Sequence, residues 1–228
     1  MTKKTSLLSF DSNGKPLHSA QYRRRRILNW LPLGLTYAFL YMARYNLTVS
    51  KNALGNLMTK EDFGIIFAVG TITYAFSFLI NGPLTDKFGG KRSILLGAGG
   101  AAVMNLIMGV FLFGILSLGW NINLTISFSV LYALNMYFQS FGAVSIVKVN
   151  SSWFHVKERG VFGGIFGILI SLGLYFAFDW SQIIVNFTEK LSPQSPKYWL
   201  VFWIPAFILI FWFIVDIFVI KDHPSQAD

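Results

Sequence analysis

Between two long apolar runs lies the stretch Gly82-Pro83-Leu84-Thr85-Asp86-Lys87-Phe88-Gly89-Gly90-Lys91-Arg92. It combines one acidic residue, a Gly-Gly turn and three cations, which are the features of a short loop that joins two membrane helices. Short loops rich in Lys and Arg stay on the cytoplasmic side of a membrane. The stretch therefore predicts a polytopic membrane protein with this loop inside the cell.

The composition is that of a membrane chain. Of its 228 residues, 54% are hydrophobic and 13% are charged, and the mean hydropathy is +0.54. A soluble domain would carry roughly 25% charged residues. The sequence contains no cysteine, which excludes disulfides, thiolate zinc sites and Cys nucleophiles.

Six apolar runs are long enough to cross a bilayer, which takes about 20 residues. We expect an all-α membrane protein with a disordered basic leader over 1–26, a six-helix transmembrane domain over 27–220 and a polar segment over 221–228. The predicted spans are Ile27–Leu54, Gly64–Leu84, Ser93–Leu116, Leu124–Val149, Val161–Asp179 and Tyr198–Ile220.

The net charge of +9 is distributed unevenly between the two sides of these spans. With the amino end inside, the inner segments hold thirteen Lys and Arg residues and the outer segments hold four. This asymmetry predicts a multi-pass protein of the cell (inner) membrane with both termini in the cytoplasm. The cluster Arg23–Arg26 directly precedes the first span, so we expect it to contact the lipid bilayer rather than a nucleic acid.

A charge inside the first span is the main functional signal. Arg44 lies on one helical face with Tyr37, Tyr41 and Thr48. A charge near mid-membrane costs at least ~2.5 kcal/mol and usually lines a cavity or pathway. Because a guanidinium presents a planar fork of donors to an oxyanion, we predict that Arg44, Tyr37 and Tyr41 bind a small anionic substrate. The alternative is a structural arginine paired with a neighbouring helix.

Four other charged residues have expected roles. Lys148 lies near the inner end of the fourth span, where its stem can reach the surface, and a substrate-binding role is its second interpretation. Asp86 and Glu158 are expected to lock loops by pairing with nearby cations, and breaking such pairs is a candidate gate. Asp216 is expected to pair with a loop cation, for which the candidates are Lys87, Arg92 and Lys221, rather than to relay protons.

Other sequence patterns concern packing and catalysis. Small residues recur every four positions in two spans and predict close helix contacts. The three histidines show no metal-binding spacing, and no nucleophile or phosphate-loop motif occurs, so we expect no enzyme activity, catalytic residue, metal or cofactor. The small residues are Gly97, Ala101, Asn105 and Gly109 in the third span, and Gly163, Gly167 and Ser171 in the fifth.

Four segments resemble those of known transporters. The stretch 82–92 resembles the signature loop between the second and third helices of major facilitator superfamily transporters, with Gly90 where the family usually has a third cation. Tyr137–Gly142 and Trp153–Gly160 resemble the fourth span and following loop of the organophosphate:phosphate antiporters, which carry glycerol 3-phosphate or hexose 6-phosphate. With Tyr41–Asn46, the resemblance extends from about Leu33 to Asp228.

The resemblance implies the amino-terminal six-helix half of a major facilitator fold. Arg44 matches the family arginine that contacts the substrate phosphate, and Lys148 matches a family arginine of the fourth span. A family lysine and a family histidine align with Phe78 and Ile170. The loop and gating residues that the resemblance implies are Gly82, Asp86, Lys87, Gly89, Lys91, Arg92, Glu158 and Arg159.

The expected function is transport of a small organic anion, namely an organophosphate exchanged for phosphate by alternating access. The family's site lies between two halves, so a second six-helix half is an expected partner, and 221–228 resembles the start of the central cytoplasmic linker. One alternative is a membrane sensor for an organic phosphate, which binds its ligand without flux. The other is a truncated, non-transporting half, which does neither.

Overall fold

The computed structural model describes residues 8–10, 12 and 16–226, with side chains for residue 12 and for 19–226. Two short antiparallel strands, β1 (Leu8–Phe10) and β2 (Pro16–His18), precede the helices. The helices are α1 (Ala20–Leu54), α2 (Lys60–Phe88), α3 (Gly90–Leu118), α4 (Leu124–Trp153), α5 (Arg159–Tyr175), α6 (Ser181–Leu191) and α7 (Leu200–Val219). A π-helical turn, Phe176–Trp180, joins α5 and α6 into one continuous helical run.

Helix α1 begins earlier than the sequence predicted. The Ser19 side chain caps it by accepting a hydrogen bond of 3.1 Å from the N–H of Tyr22, which satisfies one of the free donors at a helix start. The cluster Arg23–Arg26 is therefore helical, and the expected disordered leader through residue 26 is wrong for residues 20–26. Residues 1–7, 11 and 13–15 of the predicted leader lie outside the part of the chain that the structure describes.

The stretch 82–92 is almost entirely helical. Helix α2 runs to Phe88 and α3 begins at Gly90, so the predicted ends at Leu84 and Ser93 are wrong and the junction is Gly89 alone. Gly89 has a φ of 89° and donates its N–H to the Thr85 carbonyl at 2.9 Å. Glycine adopts this φ without steric cost. The helices extend beyond the apolar runs because their charged last turns face water.

Within the described part of the chain, five helical runs are long and apolar enough to cross a membrane: α2, α3, α4, the run Val156–Leu191 and α7. Helix α1 is long enough but less apolar, because it buries Asn29, Thr36, Arg44, Asn46 and Ser50 against its neighbours. Polar side chains in a membrane helix are tolerated when they face other helices. The described residues thus form a six-helix membrane bundle, which confirms the predicted fold class.

The fifth span is longer than predicted. It does not end at Asp179 but continues through the π-helical turn into α6, as the run Val156–Leu191. Asp179 is exposed, and its charge does not end the helix. A charged residue is therefore a poor marker of a helix end here.

Helices α1 and α4 lie at the centre of the bundle, and the other helices pack around them. Helix α4 packs against α2 and α3, α3 packs against α7, and α7 and α5 both pack against α1. Helices α2 and α5 each have one principal partner and expose broad apolar faces. The "basic end" of the bundle is defined here as the end that holds Arg23–Arg26, residues 82–92, residues 153–159 and residues 219–226. Contacts of Arg25 with Val219 and of Asn29 with Lys221 bring both ends of the helical domain to it.

Small residues make the close helix contacts in α3 but not as predicted in α5. All four predicted small residues of α3 are buried, and a Cβ on Gly97 would lie 3.1 Å from the Phe138 carbonyl oxygen of α4. Among the described residues, no side chain and no backbone of another helix lies within 4 Å of a Cβ built on Gly163 or Gly167. The close approach of α5 to α1 is instead at Gly173. The prediction is confirmed for α3 and wrong for α5.

Replacing Gly90 with alanine should destabilise the bundle by about 1–3 kcal/mol, the usual cost of overpacking. A Cβ on Gly90 would lie 2.5 Å from Val149 Cγ2 and 3.0 Å from the Ser145 carbonyl oxygen. Gly82→Ala is the matched control, because no atom of another described segment lies within 4 Å of that Cβ. Thermal unfolding in detergent measures both variants. Equal melting temperatures for Gly90→Ala and Gly82→Ala would contradict the prediction.

Candidate functional site: a buried guanidinium between three helices

Arg44 lies at the centre of the bundle, where α1 meets α2 and α4. Its Nε donates a hydrogen bond of 2.8 Å to Gln139 Oε1. Its guanidinium carbon is 5.0 Å from the ring centroid of Tyr41 and 4.5 Å from that of Tyr74. Tyr74 lies midway along α2 and Gln139 midway along α4, so the guanidinium is near the middle of the membrane-spanning layer.

One terminal nitrogen of this guanidinium is unused. Arg44 is 7% exposed, and its Nη2 is buried without a hydrogen-bond partner in the described part of the chain. An unsatisfied buried donor on a charged group costs more than the roughly 1–3 kcal/mol of a neutral one. The Nη2 group therefore lacks a hydrogen-bond acceptor, and an anion oxygen would supply one.

The two aromatic rings beside Arg44 favour a cation without neutralising it. Rings within about 6 Å attract a guanidinium by roughly 0.5–2 kcal/mol. The side-chain partner on Nε is an amide, and among the residues described Arg44 forms no ion pair. The guanidinium thus keeps its full charge, which a structural ion pair would have cancelled.

A chain of buried amides holds Gln139 in place. Gln139 donates to Asn135 at 3.2 Å, Asn135 receives a further bond of 3.3 Å from Asn105, and Asn105 accepts 2.8 Å from Asn46. Asn105 and Asn135 also donate to the Ala43 carbonyl, next to Arg44. The network joins α1, α3 and α4, so the position of Arg44 is determined by three helices together.

The predicted partners of Arg44 lie along α1. Tyr41 stacks beside the guanidinium, and Tyr37 contacts Tyr41 edge to face at 5.3 Å between centroids. Tyr37 also lines a largely apolar cavity of 370 Å³ between α1, α4 and α5, whose wall includes Ile170 and Arg159. Arg44 is not among the residues that line this cavity.

Lys148 does not join Arg44. It forms an ion pair of 2.7 Å with Asp86 at the basic end. Lys148 is nine residues from Gln139 along α4, roughly 13 Å at the usual helical rise. The pair borders a cavity of 510 Å³ between α2 and α4 that Phe78 also lines. Both side chains are substantially exposed, so the pair contributes about 0–1 kcal/mol.

The other predicted loop residues also lie at the basic end. Glu158 accepts two hydrogen bonds of 3.1 Å from Arg26, and Arg159 donates to the Ser151 carbonyl at 3.3 Å. The N–H of Lys91 donates to Asp222 at 2.8 Å. The cations that pair with Asp86 and Glu158 come from distant helices. Gly82, Lys87 and Arg92 lie on the same α2–α3 corner, where Lys87 and Arg92 are exposed.

Asp216 contradicts its predicted pairing. It is fully buried and accepts a hydrogen bond of 2.7 Å from the Thr36 hydroxyl of α1, rather than contacting Lys87, Arg92 or Lys221. The helical face of Asp216 points into the α1–α7 contact instead of toward the loops. That rotation of α7 is a tertiary property, so residue spacing along the chain does not reveal it.

Two residues of the site escaped sequence reasoning. Tyr74 and Gln139 contact Arg44 directly but were assigned no role. Gln139 carried a signal, because it shares an α4 face with Asn135 in an otherwise apolar span. Tyr74 carried none, since one tyrosine in an apolar helix is common at any position.

The sequence is similar to those of several known proteins. Residues 33–228 match the Major Facilitator Superfamily. The chain is 24% identical to the glycerol-3-phosphate transporter of Bacillus subtilis over 221 residues, which cover 91% of this chain and 44% of that protein. It is 29% identical to the Membrane sensor protein UhpC of Salmonella typhimurium over 142 residues, 61% of this chain and 29% of that protein.

A third relative is the probable hexose phosphate transport protein of Chlamydia trachomatis, 24% identical over 156 residues, 67% of this chain and 32% of that protein. The chain spans less than half the length of each of these relatives. The match to the superfamily covers most of the chain, and the six-helix bundle fits one half of that fold. The chain belongs to the Major Facilitator Superfamily.

Proposed function

We propose that this chain takes part in transporting a small organic anion, namely an organophosphate exchanged for phosphate, by alternating access. The observation that carries the proposal is the buried Arg44 guanidinium, whose Nη2 has no partner in the described structure and whose charge is not cancelled. Relatives named as carriers of glycerol 3-phosphate and hexose phosphate support the substrate class. Phosphate oxygens match the planar donors of a guanidinium.

The proposed transporter comprises this half and a second six-helix half. In the superfamily architecture the two halves rock about a site near the bilayer midplane, which is the depth of Arg44. The broad exposed apolar faces of α2 and α5 support a further membrane partner. In this scheme Tyr37 and Tyr41 line the substrate path, while Lys148 contributes positive charge nearer the basic end.

The basic end is proposed to face the cytoplasm, with both termini inside and the protein in the inner membrane. The support is the excess of Lys and Arg at this end. Two ion pairs, Lys148–Asp86 and Arg26–Glu158, join different segments there. The Lys148–Asp86 pair is exposed and therefore costs little to break, whereas the Arg26 and Glu158 side chains are only 16% and 27% exposed. The Lys148–Asp86 pair is thus the one suited to open and re-form as the halves rock.

A second candidate function is sensing of an organic phosphate. It is favoured by the similarity to the Membrane sensor protein UhpC, at 29% identity. The same guanidinium would bind the ligand, but binding would change a contact with a partner protein instead of moving the ligand. A sensor therefore predicts binding without flux.

The proposal is tested by calorimetry on the purified chain in detergent. Phosphate and glycerol 3-phosphate are expected to bind, whereas uncharged glycerol is not, because it lacks the oxyanion that Arg44 requires. Heat from glycerol equal to that from glycerol 3-phosphate would contradict an anion site. Exchange of labelled glycerol 3-phosphate for internal phosphate, in proteoliposomes that hold this chain together with a second six-helix half, then distinguishes a transporter from a sensor.

Gln139→Leu should weaken phosphate binding roughly fivefold, because loss of one buried hydrogen bond of about 1 kcal/mol leaves the Arg44 Nε unsatisfied. Gln139→Glu should weaken it more, at least about tenfold, since a carboxylate beside the guanidinium competes with the anion. Calorimetric titration measures both. The control is Gln182→Glu, an exposed glutamine of α6 that bonds only to Asn186 among the described residues. Unchanged affinity in Gln139→Glu would refute the assigned geometry.

A further inference from the structure

A buried carboxylate lies apart from the Arg44 site. Asp216 of α7 is 0% exposed, and the Thr36 hydroxyl of α1 donates to its Oδ2 at 2.7 Å. Its Oδ1 is also buried and has no hydrogen-bond partner in the part of the chain that is described. Thr36 precedes Arg44 by eight residues, roughly 12 Å along α1, so the two sites are separate.

The cations near Asp216 are bonded to backbone carbonyls instead of to its carboxyl group. Lys91 Nζ of α3 donates to the Ile217 carbonyl, and Arg25 of α1 donates to the Val219 carbonyl at 2.7 Å. Lys221 and Asp222 follow at the end of α7, where Asp222 accepts from the Lys91 N–H. Helix α6 adds Glu189, which bonds to Tyr198 at the opposite end of α7. Among the described residues, the Lys91 ammonium acts on Asp216 through space.

An ionised carboxylate in this position would be poorly compensated. Burying a charge costs several kcal/mol unless hydrogen bonds and an opposite charge satisfy it, and Asp216 has one donor and one empty oxygen. A buried group in that situation takes up a proton and becomes neutral. When the carboxyl group is neutral, what remains is one buried polar atom without a hydrogen bond, which costs about 1–3 kcal/mol of stability.

We propose that Asp216 is a proton-binding site in the contact between α1 and α7. Its carboxyl group is protonated when the two helices are packed as observed. When they separate at the basic end, the proton passes to water, and the Lys91 ammonium leaves the Ile217 carbonyl to balance the new charge. Proton binding is thereby linked to the packing of α7 on α1, which would make a proton a coupling ion for this half.

Infrared spectroscopy of the full chain in lipid nanodiscs tests this site, with aspartate labelled with ¹³C so that its carboxyl band is identified. At neutral pH we expect a protonated carboxyl band that is absent from Asp216→Asn. The matched control Asp179→Asn should keep the band, because Asp179 is exposed. Thr36→Val should keep it but shift it to higher wavenumber, since the hydrogen bond to the carboxyl group is removed.

The absence of a protonated aspartate band from the intact chain at neutral pH would overturn the proposal. So would a band that persists in Asp216→Asn. If Asp216→Asn does not fold, Thr36→Val decides: a shifted band supports the site and an unshifted band refutes it. These measurements are made on the chain without any anion. Their outcome therefore does not depend on whether Arg44 binds a ligand.

Discussion

Replacing Arg44 with alanine is expected to abolish measurable binding of phosphate and glycerol 3-phosphate. Removing one partner of a buried charge pair costs about 2–5 kcal/mol, which corresponds to a loss of roughly 30-fold or more in affinity. Arg44→Lys keeps the charge but loses the Nε donor to Gln139 and the planar fork. We expect it to bind about tenfold more weakly than the intact chain, as one lost charge-assisted bond predicts.

The matched control for Arg44→Ala is Arg24→Ala. Arg24 belongs to the same helix and carries the same charge, but it is exposed at the basic end. Calorimetry with phosphate should show normal binding in Arg24→Ala. If both alanine variants lose affinity equally, the anion responds to the general positive charge of the chain. If Arg44→Ala binds like the intact chain, Arg44 is structural.

The second large effect is expected from Gly173→Ala. A Cβ at this position would lie 2.8 Å from the Ala38 carbonyl oxygen and 3.0 Å from Tyr41 Cβ. Because the contact is with α1 backbone, a rotamer change cannot relieve it, and α5 must move away. We expect a loss of about 1–3 kcal/mol in stability, measured as a lower melting temperature in detergent. Weaker phosphate binding should accompany it, because Tyr41 also flanks Arg44.

Gly167→Ala is the control for this variant. It changes the same residue type in the same helix, and no atom of another described segment lies within 4 Å of the added Cβ. Alanine favours a helix over glycine by up to about 1 kcal/mol, so Gly167→Ala should leave the melting temperature unchanged or raise it. Equal destabilisation by both variants would show that α5 is sensitive to any added methyl group rather than to its contact at Gly173.

Much of the fold was predictable because its signals are local. The long apolar runs, the basic segments between them and the charge in the first span are all read within short windows of sequence. The segments 82–92 and 153–160 also indicated the superfamily, which the match over residues 33–228 confirms. Helix ends were less predictable, since α2 and α3 extend into charged residues that face water.

The partners of each polar residue were not predictable in the same way. The sequence by itself determined that Arg44 is buried in a membrane helix, but the neighbours Tyr74 and Gln139 come from helices 30 and 95 residues away along the chain. Which glycine of α5 touches α1, and whether Asp216 faces loops or helices, were likewise decided by tertiary structure. The physical reason is that hydropathy and charge bias depend on nearby residues, whereas the rotation of each helix depends on packing against all the others.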